Sequence, residues 1–273
     1  SQFSNLPANA VFEDLTIRGT GGLNAKTSGL AFSAFEVNTS GVIVDNALIE
    51  DNPVVGFKGY LIGSSTIING LEINNNGKPL TNTPINDRAG LFLRSVNWAP
   101  IINDLVVTNS TGPGILLWKG GAMGQDWWTS DNGGNGADFR EFHPQVTILR
   151  SLDNAGHGVS VRDSSNVELS HVLTSGNGIA SSQPENGAGI FFDEANDVMS
   201  GGKNVSCFTC ISNGDQYGIV ARDSIDLQLL AVEVHDPLSG PALDIDNSGL
   251  SRDGLVIIDD MRINLNQSSY AIQ

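Results

Sequence analysis

The chain has 273 residues, 30 of them acidic and 14 basic, for a formal charge of −16; it carries 32 glycines and only 7% aromatic residues. That balance argues against nucleic acid as a partner, because phosphate binding needs a cationic footprint. No apolar run approaches the ~18 residues of a spanning helix and the start is not signal-like, so nothing in the sequence reads as crossing a membrane. Residues 1–273 read as a single elongated domain, either a mature secreted, extracellular form or a segment of something longer.

In chain order, one short phrase recurs: a small residue, then apolar, any, apolar. Its copies begin at Gly56, Gly90, Gly114, Gly158, Gly189 and Gly218, with a degenerate copy at Ala242. The intervals of 34, 24, 44, 31, 29 and 24 residues point to a unit of about two dozen residues broken by insertions. Between these copies lies a second phrase, apolar-x-apolar, followed by Asn or Asp at a turn. It runs from Ile67–Ile73 to Asn75, from Ile102–Val107 to Asn109, from Val146–Ile148 to Asn154, from Val167–Leu169 to Asn177, from Val205–Cys207 to Asn213 and from Leu227–Leu229 to Asp236. Asn tolerates left-handed backbone and bonds its own main chain, which suits a repeated tight corner. Period-2 apolar runs with no 3.6-residue stripe predict strands. The expected fold is all-β, a single-stranded right-handed parallel β-helix (solenoid) of eight to ten rungs. An antiparallel β-sandwich is the competing fold, and it does not predict in-register repeats.

In the first phrase the residues one and three after the glycine face inward, and those two and four after it face out. The outward fourth position reads Arg94, Trp118, Arg162, Asp193, Arg222 and Asp246. Such a row is either a solvated face with cross-rung pairs, Arg162 with Asp193 and Arg222 with Asp246, or the floor of a groove for a polar polymer. Apparent insertions at Lys119–Pro144, Gly77–Arg88 and Gly178–Ala188 would wall such a groove from both edges. All four tryptophans, Trp98, Trp118, Trp127 and Trp128, fall within 31 residues. Indoles pack on sugar rings, so the cluster suggests a polysaccharide partner, with at least one of Trp127 and Trp128 expected to pin the long loop instead.

Cys207 and Cys210 align with Leu169 and Val172 of the preceding coil and read as small buried apolar residues, there being no second pair for zinc. Four Asn-x-Ser/Thr sequons occur, as a chain rich in Asn and Ser produces by chance. A divalent cation such as Ca²⁺ would suit the acidic loop residues, although no loop has the spacing of a calcium motif. Whether the chain is a monomer or a trimer is not readable here.

The run Gly133–Asp138, then Val146-Thr147-Ile148, then His157-Gly158-Val159-Ser160-Val161-Arg162-Asp163 resembles the catalytic rungs of the mannuronan C5-epimerases, β-helix enzymes of the pectate-lyase-like type that act on alginate. That family places Y-G-F-D-P-H-E where this chain has His157–Asp163, and Asp193 falls on a family Asp. The ending Ser269–Gln273 is similar to the family's S-T-Y-G-I-Q. The family's Arg-His pair is Gln216-Tyr217 here. The resemblance implies a carbohydrate-active enzyme working on a uronate-containing polysaccharide, by elimination or C5-epimerisation. His157 would then act as base or acid, and Arg162, with Arg94 or Arg222, would neutralise the substrate carboxylate. Ser160, Lys58, Trp118, Trp127 and Trp128 complete the expected contacts. A glycoside hydrolase using Asp163 and Asp193 is the competing enzyme. A non-catalytic glycan-binding adhesin or tailspike-like fibre is the third reading.

Overall fold

The computed structural model describes residues 2–3, 10–19, 33–37, 41–53, 55–60, 65–77, 88–96, 100–179, 187–195, 205–224, 226–246 and 256–265. All of the strand pairings are parallel and join strands of successive coils. The chain is therefore a parallel β-helix. Right-handed winding is the hand that parallel crossover connections take.

Two ladders alternate along the chain. The first contains Val55–Tyr60, Leu91–Val96, Val159–Arg162, Ala188–Asp193, Tyr217–Arg222 and Leu243–Asp246. The second contains Ile43–Glu50, Ile67–Asn74, Ile101–Thr108, Glu168–Ser175, Val205–Asn213 and Leu227–His235. Ile115–Ser130 and Ala137–Leu152 run through both ladders without a break. Each second-ladder strand turns at its middle on one residue of positive φ, among them Asn46, Asp104, Asp126, Ile148, His171 and Thr209. Register resumes beyond it, as Asp45 pairs with Asn69 and then Ala47 with Leu71. That corner gives the coil three sides. Ile148, read from sequence as inward, is the corner itself, and Leu149 takes the buried place.

The supposed insertion Lys119–Pro144 is a complete rung. Ile115 pairs with Ala137 and Ala137 with Val159, so the interval of 44 residues between Gly114 and Gly158 is two units of 22. The missed copy of the phrase is Gly136-Ala137-Asp138-Phe139, whose first apolar residue is only an alanine. Of the other two apparent insertions, Gly77–Arg88 and Gly178–Ala188, residues 78–87 and 180–186 lie outside the described residues, as does Trp98.

Inward side chains stack on their counterparts one rung away. Leu91, Ile115, Ala137, Val159, Ile190, Ile219 and Leu243 form one such row, all but Leu243 fully buried. Small and large residues compensate, as where Ala137 lies beside Phe139 and Phe142 in the same cluster. The leading glycine of the phrase is required by close approach, since a Cβ on Gly136 would meet Ser151 Oγ at 1.9 Å and one on Gly114 would meet Asn132 Nδ2 at 2.6 Å.

At the turn back to the first ladder the backbone uses two adjacent residues. The first, such as Asn75, Asn109, Asp131 or Asp153, adopts positive φ and stays outside. The second is a buried asparagine at Asn52, Asn76, Asn132, Asn154 and Asn177, and a buried serine, Ser110, after Asn109. Asn132 donates its backbone N–H and Nδ2 to Asn154 Oδ1 at 3.1 and 2.9 Å, Asn154 does the same to Asn177 at 3.0 and 2.9 Å, and Asn177 to Asp215 at 2.8 and 2.8 Å. The row ends on Asp215, which also accepts from the Thr174 and Ser212 hydroxyls at 2.7 Å. Burial pushes the Asp215 carboxyl up, against the pull of these hydrogen bonds.

Cys207 and Cys210 form a disulfide, which corrects the reading of them as free apolar fillers. They occupy the two inward positions on either side of the corner residue Thr209, whose positive φ brings their Cα atoms to 6.0 Å. Both are fully buried.

Two stability tests follow. Asn154→Ala removes the acceptor of the Asn132 backbone N–H and Nδ2 and should cost about 2–3 kcal/mol in chemical denaturation. Asp215 has a folded pKa above its unfolded value, so the parent loses stability as pH rises from the ordinary carboxylate range, ~4, through that raised value. Asp215→Asn lacks this loss. Its stability relative to the parent should grow with pH in thermal melts, and an unchanging difference would contradict the buried-charge account.

Candidate functional site

The outward side of the first ladder carries two rows in register. The nearer row is Lys58, Phe92, Leu116, Asp138, Ser160, Phe191, Val220 and Asp244; the farther is Tyr60, Arg94, Trp118, Arg140, Arg162, Asp193, Arg222 and Asp246. The nearer row is not an open groove floor. Its members are between 0% and 6% exposed, in part because the long side chains of the farther row fold back over them.

The middle of the face is the missed rung and its neighbour. Arg140 donates Nε and Nη2 to Asp138 Oδ2 at 3.1 and 2.6 Å, and this hydrogen bond raises the Arg140 pKa further. Asp138 is fully buried and its Oδ1 has no hydrogen-bond partner. On the next rung Arg162 donates Nε to Ser160 Oγ at 3.0 Å, and its guanidinium lies 5.1 Å from the centre of the Phe191 ring. Arg140 and Arg162 are register partners, as are Asp138 and Ser160. Sequence reasoning missed Asp138 and Arg140 because it skipped their rung; the division of 44 into two equal units was the available signal.

His157 lies at the entry to this face and is 1% exposed. Its Nδ1 accepts the Ala188 N–H at 3.0 Å, and its ring stacks on Phe191 with centroids 4.4 Å apart. Accepting that N–H occupies the Nδ1 lone pair and places the ring proton on Nε2. His157, expected as base or acid, thus has its Nδ1 engaged by the main chain and its ring stacked on Phe191.

The other expected residues spread along the coil. The Trp118 indole Nε1 donates to Glu141 Oε1 at 3.1 Å, and the Arg94 guanidinium lies 4.4 Å from the centre of its ring. Trp118, Lys119 and Arg94 together hold the Glu141 carboxyl below its usual range, Trp118 most strongly. Lys58 is buried, with Nζ 5.2 Å from the Tyr60 ring centre, and sits three rungs from Asp138. Arg222 is forked onto the Asp244 carboxylate of the following rung, where sequence had paired it with Asp246. Trp127 is a core residue, fully buried, its Nε1 donating to Ile102 O at 2.8 Å and its indole occupying the space left by Gly124. Trp128 faces out on the second ladder, 39% exposed, 6.0 Å from the Arg150 guanidinium. Trp118, Trp127 and Trp128 therefore do not form one cluster.

Asp163, Glu194 and Asp223 occupy the positive-φ turn after successive first-ladder strands. The Glu194 carboxyl is held above its usual range by its hydrogen bond with Asp163 and by that residue's charge, with burial, Asp193 and Asp223 adding to it. Asp163 and Asp193, the pair expected of a hydrolase, stand on neighbouring rungs, the Asp163 N–H donating to the Asp193 carbonyl at 3.0 Å. Among the described residues no group of three or more His, Cys, Asp or Glu side chains converges on a metal position.

No protein-family model matches the chain, and no curated protein matches it. Among solved structures, the A-module of the Azotobacter vinelandii mannuronan C-5 epimerase AlgE4 is similar to it, at 11% identity over 91% of this chain and 92% of that one, with a TM-score of 0.38.

The two adjacent indoles provide a direct check. Trp127→Ala should cost about 3–5 kcal/mol in denaturant unfolding, as removal of a large core side chain does. Trp128→Ala, at an exposed position, should stay within about 0.5 kcal/mol of the parent.

Proposed function

We propose that the protein is carbohydrate-active and takes a uronate-containing polysaccharide along the outward face of its first ladder, centred on Asp138, Arg140, Ser160 and Arg162. The observation that carries this reading is the row Arg94, Arg140, Arg162 and Arg222, four of the chain's 14 basic residues on one line of a protein of charge −16. Local cations of this kind offset the long-range repulsion that an anionic polymer would meet. Arg140 and Arg162 stand on adjacent rungs, ~4.8 Å apart, and Arg94 and Arg222 each lie two rungs beyond them, so the guanidinium groups spread along the coil axis. Guanidinium binds carboxylate through paired, planar hydrogen bonds.

The chemistry such a site would support is removal of the C5 proton of a uronate, leading to elimination or epimerisation. Asp138 Oδ1 is the base in this reading, and Arg140 and Arg162 stabilise the substrate carboxylate as it takes on enolate character. Arg140 has to turn from Asp138 onto the substrate, which exposes Oδ1 at the moment of binding. Support also comes from realigning the epimerase motif by one rung. Y-G-F-D-P-H-E matches His157–Asp163 only at Gly158, but matches Asn135–Glu141 at Gly136, Asp138 and Glu141. A secreted protein is in keeping with the Cys207–Cys210 disulfide, since such bonds persist in oxidising compartments.

The test is incubation with polymannuronate and polygalacturonate in D₂O. Unsaturated uronide absorbing in the near ultraviolet reports elimination, deuterium at C5 without chain cleavage reports epimerisation, and new reducing ends alone report hydrolysis. Asp138→Asn should lower turnover at least ~100-fold, and Arg162→Ala should raise KM at least ~10-fold in a salt-dependent manner. Unchanged turnover in Asp138→Asn would remove the catalytic assignment. Binding without turnover that Arg162→Ala weakens would leave a polyuronate-binding protein.

A further inference from the structure

The second ladder presents an outward face of a different chemistry. Asn103, Gln125, Thr147 and Ser170 are register partners on four successive rungs, and Ile101, Met123 and Gln145 form the row beside them. These two rows line an open groove of about 350 Å³. That volume is in the range of small-ligand sites. Glu168, at one end, is its only charged lining residue.

Three properties of the groove point to an occupant. First, its hydrogen-bonding groups are unengaged: none of the side chains of Asn103, Gln125, Gln145, Thr147 and Ser170 is bonded to a described residue. Asn69, one rung before Asn103 on the same row, donates to Asp45 at 2.8 Å, so rung-to-rung bonding is available to this row and is not used in the groove. Second, Ile101 and Met123 are 37% and 42% exposed, a strip of apolar surface beside the amides. Third, the groove lacks cations, and the surrounding protein is acidic, so anions are not its ligands.

A second copy of this chain is a poor fit, because a dry interface would bury the amide groups without partners, each at about 1–3 kcal/mol. An uncharged sugar polymer has the matching pattern, with apolar ring faces, hydroxyl edges that both donate and accept, and a repeat that meets similar groups on each rung. We propose that this groove binds an uncharged polysaccharide segment, sugar rings lying on Ile101 and Met123 and hydroxyls bonded by Asn103, Gln125, Gln145 and Thr147. The site lies on the other ladder from the arginine row and holds a chemically different glycan.

The experiment is affinity electrophoresis and calorimetry with soluble β-glucan, α-mannan and galactan, with polyuronate run in parallel. The triple variant Asn103→Ala/Gln125→Ala/Thr147→Ala alters only side chains outside the core, and a thermal melt checks its fold. At least one neutral polymer should bind the parent, about tenfold more weakly the triple variant, and Arg140→Ala/Arg162→Ala as it does the parent. Failure of all three neutral polymers to bind, full retention by the triple variant, or loss in the arginine variant would overturn the proposal, whatever the polyuronate result. Dissociation of an oligomer by Met123→Arg in sedimentation would assign the groove to contacts between copies and overturn it as well.

Discussion

Everything in this coil depends on a side chain meeting its own counterpart one rung away. The two ladders face each other across one interior, as where Trp127 meets Phe139, and within it the in-register pairing from Phe57 to Leu243 is what defines inside and outside. The constraint is sharpest at the asparagine row. There each amide satisfies the backbone of the rung before it and is satisfied by the rung after, in an interior where an unmet amide is expensive. Buried hydroxyls join the same seam, with Thr129 donating to Ser151 Oγ at 3.0 Å and Ser151 to Gly158 O at 2.7 Å.

Because the interior is repetitive, variation is confined to the outside, and the outside differs from one side of the coil to another. The first ladder collects arginines that fold over a buried acid; the second presents amides and two apolar side chains with no charge among them. A scaffold rigid in its register holds each such row straight, so a polymer lying along the coil axis meets repeated chemistry. Affinity for a polymer in this arrangement comes from the sum of modest contacts.

The architecture was legible because a glycine that must pack against a hydroxyl or carbonyl and a period-2 apolar pair leave a recurring trace in sequence. The site was legible only in part. Arg94, Trp118, Arg162 and Arg222 were found by counting from their glycines, but Asp138 and Arg140 were lost where Ala137 replaced the usual large apolar residue and Phe139 and Phe142 supplied the missing volume. His157 looked chemical because histidines usually are, and only the Ala188 N–H on its Nδ1 shows its lone pair to be in use. The disulfide was hidden for a related reason: the corner at Thr209 brings residues three apart together, and nothing in the sequence marks a corner of positive φ at a threonine.

The asparagine row also has a direction. Each member from Asn132 to Asn177 donates to the rung that follows, and Asn154 and Asn177 offer the same acceptor to the rung that precedes, so the 22-residue unit Asn132–Asp153 could be copied in place with both junctions already satisfied. Asp215 breaks that equivalence, because a carboxylate only accepts and the corresponding residue one coil later is Pro237, which has no side-chain acceptor. By duplication, then, the molecule lengthens from its middle, and the coil that carries Asp215 remains the fixed end of the row.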